Sequence, residues 1–278
     1  MNFGGEEVVY GYDESQIVIL PVPYDATSSW QRGSEKGPHA LLEASAALEW
    51  YDPETDSEVQ LLGIHTLSPL VLSDDPDEMV AKVEASLLKI LSHNKFPVTI
   101  GGNHSVSIGA IRAAAAYYGD ISVLQLDAHA DLRDSYLGSP FNHASAMARA
   151  REVAEIVQVG IRSIASEELE SALDSYIFSA QDLYYKPEMY NEALKLLRPK
   201  VYITIDLDVF DPSIMPSTGT PEPGGLLWYE TIKFLREVSL QREIVGFDIV
   251  ELCPSATNKA PDFLAAKLLY KLLTYRFL

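Results

Sequence analysis

Short apolar runs rich in Val and Ile recur along the chain, separated by longer stretches with helical spacing. The runs are apolar at consecutive positions, which is typical of strands in a parallel sheet covered by helices on both faces. Strand and helix therefore alternate throughout the predicted structure. The six predicted strands cover residues 16–22, 96–102, 121–127, 155–162, 201–208 and 243–251.

Helices are predicted between these strands. Pro38 and Pro76 stand at the starts of two of them, where the missing N–H of proline costs no hydrogen bond. The alternation predicts an α/β fold, but periodicity does not distinguish an open doubly wound sheet from a closed (β/α) barrel. The predicted helices cover residues 39–50, 77–92, 106–118, 167–173, 189–197, 227–238 and 262–274.

The 278 residues contain no linker, low-complexity tract, long repeat or change of composition, so we predict a single domain over residues 1–278. The chain is 47% hydrophobic and 22% charged, which is typical of a folded globular protein. A chain of this length builds a core without a structural metal, so we expect any metal to be functional. The acidic N-terminus and the lone Cys253 lead us to expect a cytoplasmic protein.

The net charge is −19, from 21 Lys and Arg against 40 Asp and Glu. Such a surface repels phosphate, which argues against nucleic acid and anionic membranes as partners. A small cationic substrate would be attracted to it, although a general contribution to solubility explains the charge more simply. No apolar run approaches the length of a membrane span.

Polar side chains follow three of the predicted strands, at the point where each strand ends. Because the carboxyl ends of parallel strands meet at one edge of a sheet, we expect these side chains to converge on one site. An Asp after a strand also commonly caps the next helix, so each motif alone is weak and the combination carries the prediction. The six residues are His104, Asp127, His129, Asp131, Asp206 and Asp208.

Four carboxylates and two imidazoles directed at one point need a cation to hold the negative charges together. Six ligands exceed what one ion takes from protein while keeping an open position, but they suit two ions that share carboxylates. Oxygen-rich ligation with imidazole and no thiolate favours Mn(II), with Fe, Co and Ni as alternatives. The residues therefore predict two Mn(II) ions that activate a water for attack on an electrophilic carbon.

Three segments of the chain resemble the signatures of the ureohydrolases, the arginase and agmatinase family. They are residues 101–105, 127–131 and 206–212, and the loop 217–225 adds to the resemblance. The resemblance runs from about Pro21 to the C-terminus and covers nearly the whole chain. It implies an open three-layer α/β/α sandwich in place of the barrel.

The resemblance also implies a division of the six metal ligands. Asp127 and Asp206 would bridge the two manganese ions and hold the attacking hydroxide between them. Each ion would then have two further ligands of its own. These are His104 and Asp131 on one side, and His129 and Asp208 on the other.

Further roles follow from the same resemblance. Asp131 would orient the attacking hydroxide, His143 would shuttle protons, and Glu251 would hold the guanidinium group of the substrate. Asp248 resembles a supporting acid behind the ligands. Ala144 departs from the family pattern, because many relatives have Gly after the histidine.

The substrate tail is less constrained by the sequence. Arg133 stands where arginases have an Asn that helps to bind the amino acid head group, and together with residues 158–163 it is similar to the agmatinase branch. We predict hydrolysis of agmatine to putrescine and urea, a step of polyamine synthesis. N1-aminopropylagmatine, guanidinobutyrate and arginine are the alternative substrates.

A second class of function stays open at this point. A metal-containing relative could bind polyamine-like ligands without turning them over, and a missing ligand would be its signature. All six ligands are present here, as are His143 and Glu251. The resemblance further implies a homo-oligomer, a trimer or a hexamer.

Overall fold

The computed structural model describes residues 1–173 and 175–277, so Asp174 and Leu278 of the predicted domain lie outside the described residues. The described residues form one sheet of eight strands, all parallel, in the order β2-β1-β3-β8-β7-β4-β5-β6. The strands are β1 Ile17–Val22, β2 Ile64–Thr66, β3 Phe96–Gly101, β4 Ser122–Leu126, β5 Glu155–Ile161, β6 Tyr176–Ser179, β7 Lys200–Asp206 and β8 Glu243–Val250.

Nine α-helices connect and cover the strands within these described residues. They are α1 Gly37–Ser45, α2 Pro76–Ser92, α3 Val106–Tyr118, α4 Ala146–Ala150, α5 Leu169–Leu173, α6 Ala180–Tyr185, α7 Met189–Leu196, α8 Trp228–Gln241 and α9 Ala260–Arg276. One apolar core joins a sheet face to α2, α3 and α4. The other core joins the opposite face to α1, α6, α7, α8 and α9. The predicted α/β/α sandwich is confirmed, and the barrel is excluded because β2 and β6 are separate edges.

The structure differs from the predicted elements mainly at the edges. β2 and β6 were not predicted, since three and four residues are too few to give a periodic signal. The short helices α4 and α6 escaped prediction for the same reason. Helix α1 ends at Ser45, not at residue 50, because the backbone then turns with tighter hydrogen bonds such as Leu48 N to Ser45 O at 3.2 Å.

The strand order places the functional region. After β3 the chain passes through α3 and enters β4, which is not next to β3 in the sheet. Two later strands, β8 and β7, lie between β3 and β4. Ligands of open parallel sheets bind outside the carboxyl ends of the strands at such a switch point. Within residues 1–173 and 175–277, none of the helices combines the length and the apolar character needed to cross a bilayer.

Candidate functional site

The predicted site residues lie at the carboxyl ends of the four central strands. His104 follows β3, Asp127 follows β4, Asp206 ends β7 and Glu251 follows β8. The turn after β3 depends on Gly102, where a Cβ atom would collide with the backbone carbonyl of Tyr24. Glycine therefore lets the turn pack closely against its neighbour and places His104 over the sheet edge.

His104 stands at the centre of a first group of carboxylates. Its Nδ1 lies 2.9 Å from Asp127 Oδ2, 3.1 Å from Asp131 Oδ2 and 3.5 Å from Asp206 Oδ2. All four residues are buried. Their ligand atoms converge as the sequence predicts, and His104, Asp127 and Asp206 form a group compact enough to hold one ion.

A second group forms around His129. Its Nδ1 lies 2.9 Å from Asp208 Oδ2 and 3.7 Å from Asp127 Oδ1. Asp127 thus directs one oxygen to each imidazole, the arrangement required of a ligand shared by two ions. Asp127, His129 and Asp208 form the second compact group, whereas Asp206 belongs to the first group alone.

The orientation of His104 fits a metal ligand. Its Nδ1 is fully buried and has no well-oriented hydrogen-bond partner among the described residues, although three carboxylates surround it. A buried polar atom without a partner is costly, and an ion at this point would satisfy it. The donor set of two imidazoles and four carboxylates suits a pair of divalent ions.

The charges of the chain itself also fit a cation site. Burial opposes protonation of His104 and His129, but the surrounding carboxylates have the larger effect. They raise the pKa of His104 well above its usual value, and they raise the pKa of His129 to about 12. Burial, together with the Asp208 and Asp127 charges, raises the pKa of Asp206 well above its usual range. Imidazoles that hold their protons more tightly and a carboxyl that resists ionisation indicate an excess of negative charge in this cluster, which a bound cation would offset.

Asp131 and Glu251 share an uncommon backbone conformation. Their φ angles are +52° and +67°, in the left-handed region that side chains other than glycine seldom adopt. The backbone carbonyl of Asp131 accepts hydrogen bonds of 3.0 Å from Met147 and Ala148, which hold the turn in place. Strain of this kind concentrates at functional sites, where it aims a side chain that an ordinary turn would not.

Glu251 lies within reach of the first group. Its Oε1 accepts a hydrogen bond of 3.0 Å from the backbone N–H of His104. Burial, aided by the neighbouring acids, raises the pKa of Glu251 to about 8. A cationic partner stabilises the ionised form of a buried carboxylate with such a pKa, as expected of a guanidinium-binding group.

His143 faces the same cavity from the loop before α4. Its Nε2 lies 3.4 Å from Ser29 Oγ, and the ring of Tyr136 meets its ring edge to face at 6.1 Å. Burial lowers the pKa of His143 to about 4, so the imidazole is neutral at neutral pH. Ala144, the departure from the family pattern, also lines the cavity without displacing the imidazole.

One cavity of about 240 Å³ brings these groups together. Its size suits a small linear molecule, and its lining includes the predicted metal ligands and further acidic side chains. Asp127 lies beneath the cavity floor, fully buried. The predicted residues that line the cavity are His104, His129, Asp131, His143, Asp206, Asp208 and Glu251.

Thr204 and Asp248 form a support that holds His104 from behind. Thr204 Oγ1 lies 2.9 Å from His104 Nε2 and 2.6 Å from Asp248 Oδ1. The carboxylate of Asp248 also accepts hydrogen bonds from Tyr202 at 2.8 Å and Ser107 at 2.9 Å. The sequence pointed to Asp248 but missed Thr204, whose only signal is a polar residue inside an apolar strand.

Two buried glutamines support the shared ligand in a similar way. Gln125 Nε2 donates to Asp127 Oδ2 at 2.6 Å, and Gln158 Nε2 donates in turn to Gln125 Oε1 at 2.5 Å. Both side chains are fully buried in β4 and β5. The pair fixes the oxygen of Asp127 that points toward His104, and sequence reasoning had not identified it.

Arg162 fastens the loops on the other side of the site. Its guanidinium donates to the backbone carbonyls of Asp208 and Glu222, each at 2.7 Å. Asp208 follows β7, and Glu222 belongs to the loop 217–225. Arg162 therefore joins the segment of the predicted ligand Asp208 to the loop 217–225, which contributes Thr220 to the cavity lining.

Comparison with known proteins agrees with this geometry. Residues 15–274 match the model of the arginase family. The chain is 39% identical to an N1-aminopropylagmatine ureohydrolase from Synechocystis, over 99% of this chain and 93% of the relative. It is 33% identical to an agmatinase from Halalkalibacterium halodurans, over 88% and 86%. The crystal structure of agmatine ureohydrolase of Thermoplasma volcanium superposes with a TM-score of 0.91 at 33% identity, over 99% of this chain and 94% of that one.

Proposed function

The chain belongs to the arginase family of ureohydrolases, metal-dependent hydrolases of C–N bonds in linear amidines, and from that premise we propose that it releases urea from a guanidino compound with a cationic tail. The proposed substrates are agmatine and N1-aminopropylagmatine. The observation that carries the proposal is the convergence of the six predicted metal ligands, five of which line one cavity together with His143 and Glu251. A protein that only binds such ligands would not need the complete set.

We propose that His104, Asp131, His129 and Asp208 hold two Mn(II) ions, with Asp127 and Asp206 as shared ligands. When bound, the ions would lower the pKa of a water molecule and stabilise negative charge that develops during the reaction. The two compact ligand groups, which share Asp127, support two ions, as does the Nδ1 of His104, which has no hydrogen-bond partner among the described residues. The sharing of Asp206 and the ligand role of Asp131 rest on the family resemblance.

The remaining roles belong to side chains of the cavity. Glu251 receives the guanidinium group, because its two oxygens match two parallel N–H groups of that planar cation. Asp131 accepts the proton that the water loses as its oxygen bonds to the guanidinium carbon. Asp131 returns this proton to the leaving nitrogen as the C–N bond breaks. The neutral imidazole of His143 accepts the hydroxyl proton that is released as urea forms and passes it to the free amine. The products are urea and the free amine.

The sequence predicts agmatine as the substrate and N1-aminopropylagmatine as an alternative; for the tail, we propose the reverse order, with N1-aminopropylagmatine preferred and agmatine second. The support is the higher identity to the Synechocystis relative than to the agmatinase from Halalkalibacterium. Either reaction supplies an amine for polyamine synthesis. A homotrimer or homohexamer is the proposed assembly, and light scattering of the purified protein measures it.

The test is urea release by protein preincubated with Mn(II), with agmatine, N1-aminopropylagmatine, arginine and guanidinobutyrate compared in parallel. We expect turnover of the first two compounds and its loss after treatment with a chelator. The ratio of kcat/KM between them identifies the preferred tail. Urea release from arginine alone, or turnover that survives chelation, contradicts the proposal.

A further inference from the structure

The mouth of the cavity carries an unexpected positive charge. Among the described side chains that line the cavity, Arg133 is the one with a permanent positive charge. A free guanidinium at the mouth would repel a cationic tail and attract a carboxylate. The chain must neutralise Arg133 if the proposed cationic substrates are to enter.

Arg133 is held in a defined position. Its guanidinium stacks on the ring of Tyr136, 4.3 Å from the ring centroid, and its Nη1 lies 2.9 Å from Glu167 Oε1. Its backbone N–H donates to the carbonyl of Ala144 at 3.2 Å. The stack and the ion pair fix the guanidinium at the rim of the cavity.

The neighbouring Glu168 has a different task. Its two oxygens accept hydrogen bonds from the backbone N–H groups of Leu132 and Ala165, at 2.8 Å and 2.7 Å. Glu168 is 5% exposed, and these hydrogen bonds connect the segment that carries Asp131 to the segment around Ala165 at the cavity rim. Glu167 is the carboxylate left to offset the charge of Arg133.

We infer that Glu167 sets the tail-charge preference of the cavity by engaging Arg133, so that a cationic tail is accepted and a carboxylate tail finds no free guanidinium. The inference rests on the proposed function and deepens it. Loss of the Glu167 charge would free Arg133 for bidentate pairing with a carboxylate. Loss of the Arg133 charge would leave Glu167 as a partner for the tail ammonium group.

The test compares agmatine with guanidinobutyrate, which carry opposite charges at the end of similar tails. On the Mn(II)-loaded protein, kcat/KM is measured by urea release for a compound that is hydrolysed, and the dissociation constant is measured by calorimetry for one that is not. In Glu167→Gln, we expect the guanidinobutyrate-to-agmatine ratio of kcat/KM, or of affinity where neither compound is hydrolysed, to rise about tenfold, as one unit charge produces across a partly exposed site. In Arg133→Met, we expect the ratio to fall. Both shifts should shrink at high ionic strength.

Glu170→Gln is the matched control, since Glu170 lies in α5, directly after the 3₁₀ turn 166–168 that carries Glu167, is exposed and does not line the cavity. A merely structural role of Glu167 would weaken both compounds together and leave their ratio unchanged. An unchanged ratio in Glu167→Gln, or an equal change in the control, overturns the inference, as does the failure of both compounds to bind. A shifted affinity ratio without urea release from any guanidine supports the inference and refutes the proposed function.

Discussion

The hydroxyl group of Thr204 fixes the imidazole of His104, since Thr204 Oγ1 lies 2.9 Å from His104 Nε2. With Nε2 engaged in this way, Nδ1 is the nitrogen that faces the carboxylates. The hydroxyl group of Thr204 in turn donates a hydrogen bond of 2.6 Å to Asp248 Oδ1. Partners of this kind orient ligating histidines and increase their affinity for metals.

Thr204→Val removes this support while it keeps the size and branching of the side chain. We expect manganese affinity to fall about 10- to 100-fold, because Nε2 of His104 loses its partner. Titration of metal-free protein with Mn(II), followed by calorimetry, measures the change. Thr231→Val is the control, a buried threonine of α8 whose hydroxyl donates to the backbone carbonyl of Leu227, away from the site. Equal affinities in the two variants would contradict the role of Thr204.

Asp127→Ala removes the carboxylate that directs one oxygen to each of the two imidazoles and that we propose as a ligand of both ions. We expect metal content to fall from two ions per chain toward none, with loss of urea release below detection, because each proposed site loses a carboxylate. Elemental analysis after dialysis gives the metal content. A variant that keeps both manganese ions and its activity would show that Asp127 is not a shared ligand.

Glu251→Gln tests the guanidinium-binding group without a change in shape. Replacement of a charged, bidentate acceptor by an amide should lower kcat/KM for agmatine about 100-fold or more. Metal content should stay at the wild-type value, since Glu251 is not among the proposed ligands. Steady-state kinetics and elemental analysis on the same preparation separate the two effects. A Glu251→Gln variant with wild-type kinetics would exclude this role.

The metal-free protein should become less stable as the pH rises from 6.5 to 8. The folded-state pKa of Glu251 is raised from 4.5 to about 8, and that of His129 from 6.5 to about 12. In this window the folded chain therefore keeps protons that the unfolded chain releases, so stability falls with rising pH. The pKa of His143 is lowered from 6.5, and its opposite effect lies below this window.

Thermal unfolding of chelator-treated protein measures this dependence. We expect the midpoint to drop by about 5 °C or more between pH 6.5 and 8. The slope should be shallower in Glu251→Gln, which has one titrating group fewer. A midpoint that is constant or that rises with pH would disprove the charge balance described for the cluster.

The sequence was sufficient to predict the central strands and the convergence of polar side chains at their carboxyl ends, and one physical reason explains both. Long apolar runs mark strands buried on both faces, and Asp127, Asp206 and Glu251 stand where such runs end. The edge strands β2 and β6 are too short to give that signal, and part of β6 is exposed. Edge strands and short helices depend on tertiary contacts that periodicity does not contain.

The supporting residues of the site show the same limit. Gln125 and Thr204 lie inside apolar strands, where a single polar residue has many explanations. Their function depends on which strands are neighbours, and β4, β7 and β8 become neighbours only through the sheet order. Sequence reasoning also missed the ion pair of Glu167 with Arg133, because the two residues lie 34 positions apart in the chain.

The place of β8 in the sheet has a consequence for biosynthesis. This strand lies between β3 and β7 in the middle of the sheet, yet it is the last strand in the chain. A nascent chain emerging from the ribosome therefore exposes two unpaired apolar strand edges until residue 250 is free to insert. We expect nascent chains that lack β8 to depend on chaperones, and metal binding to be a late event in folding.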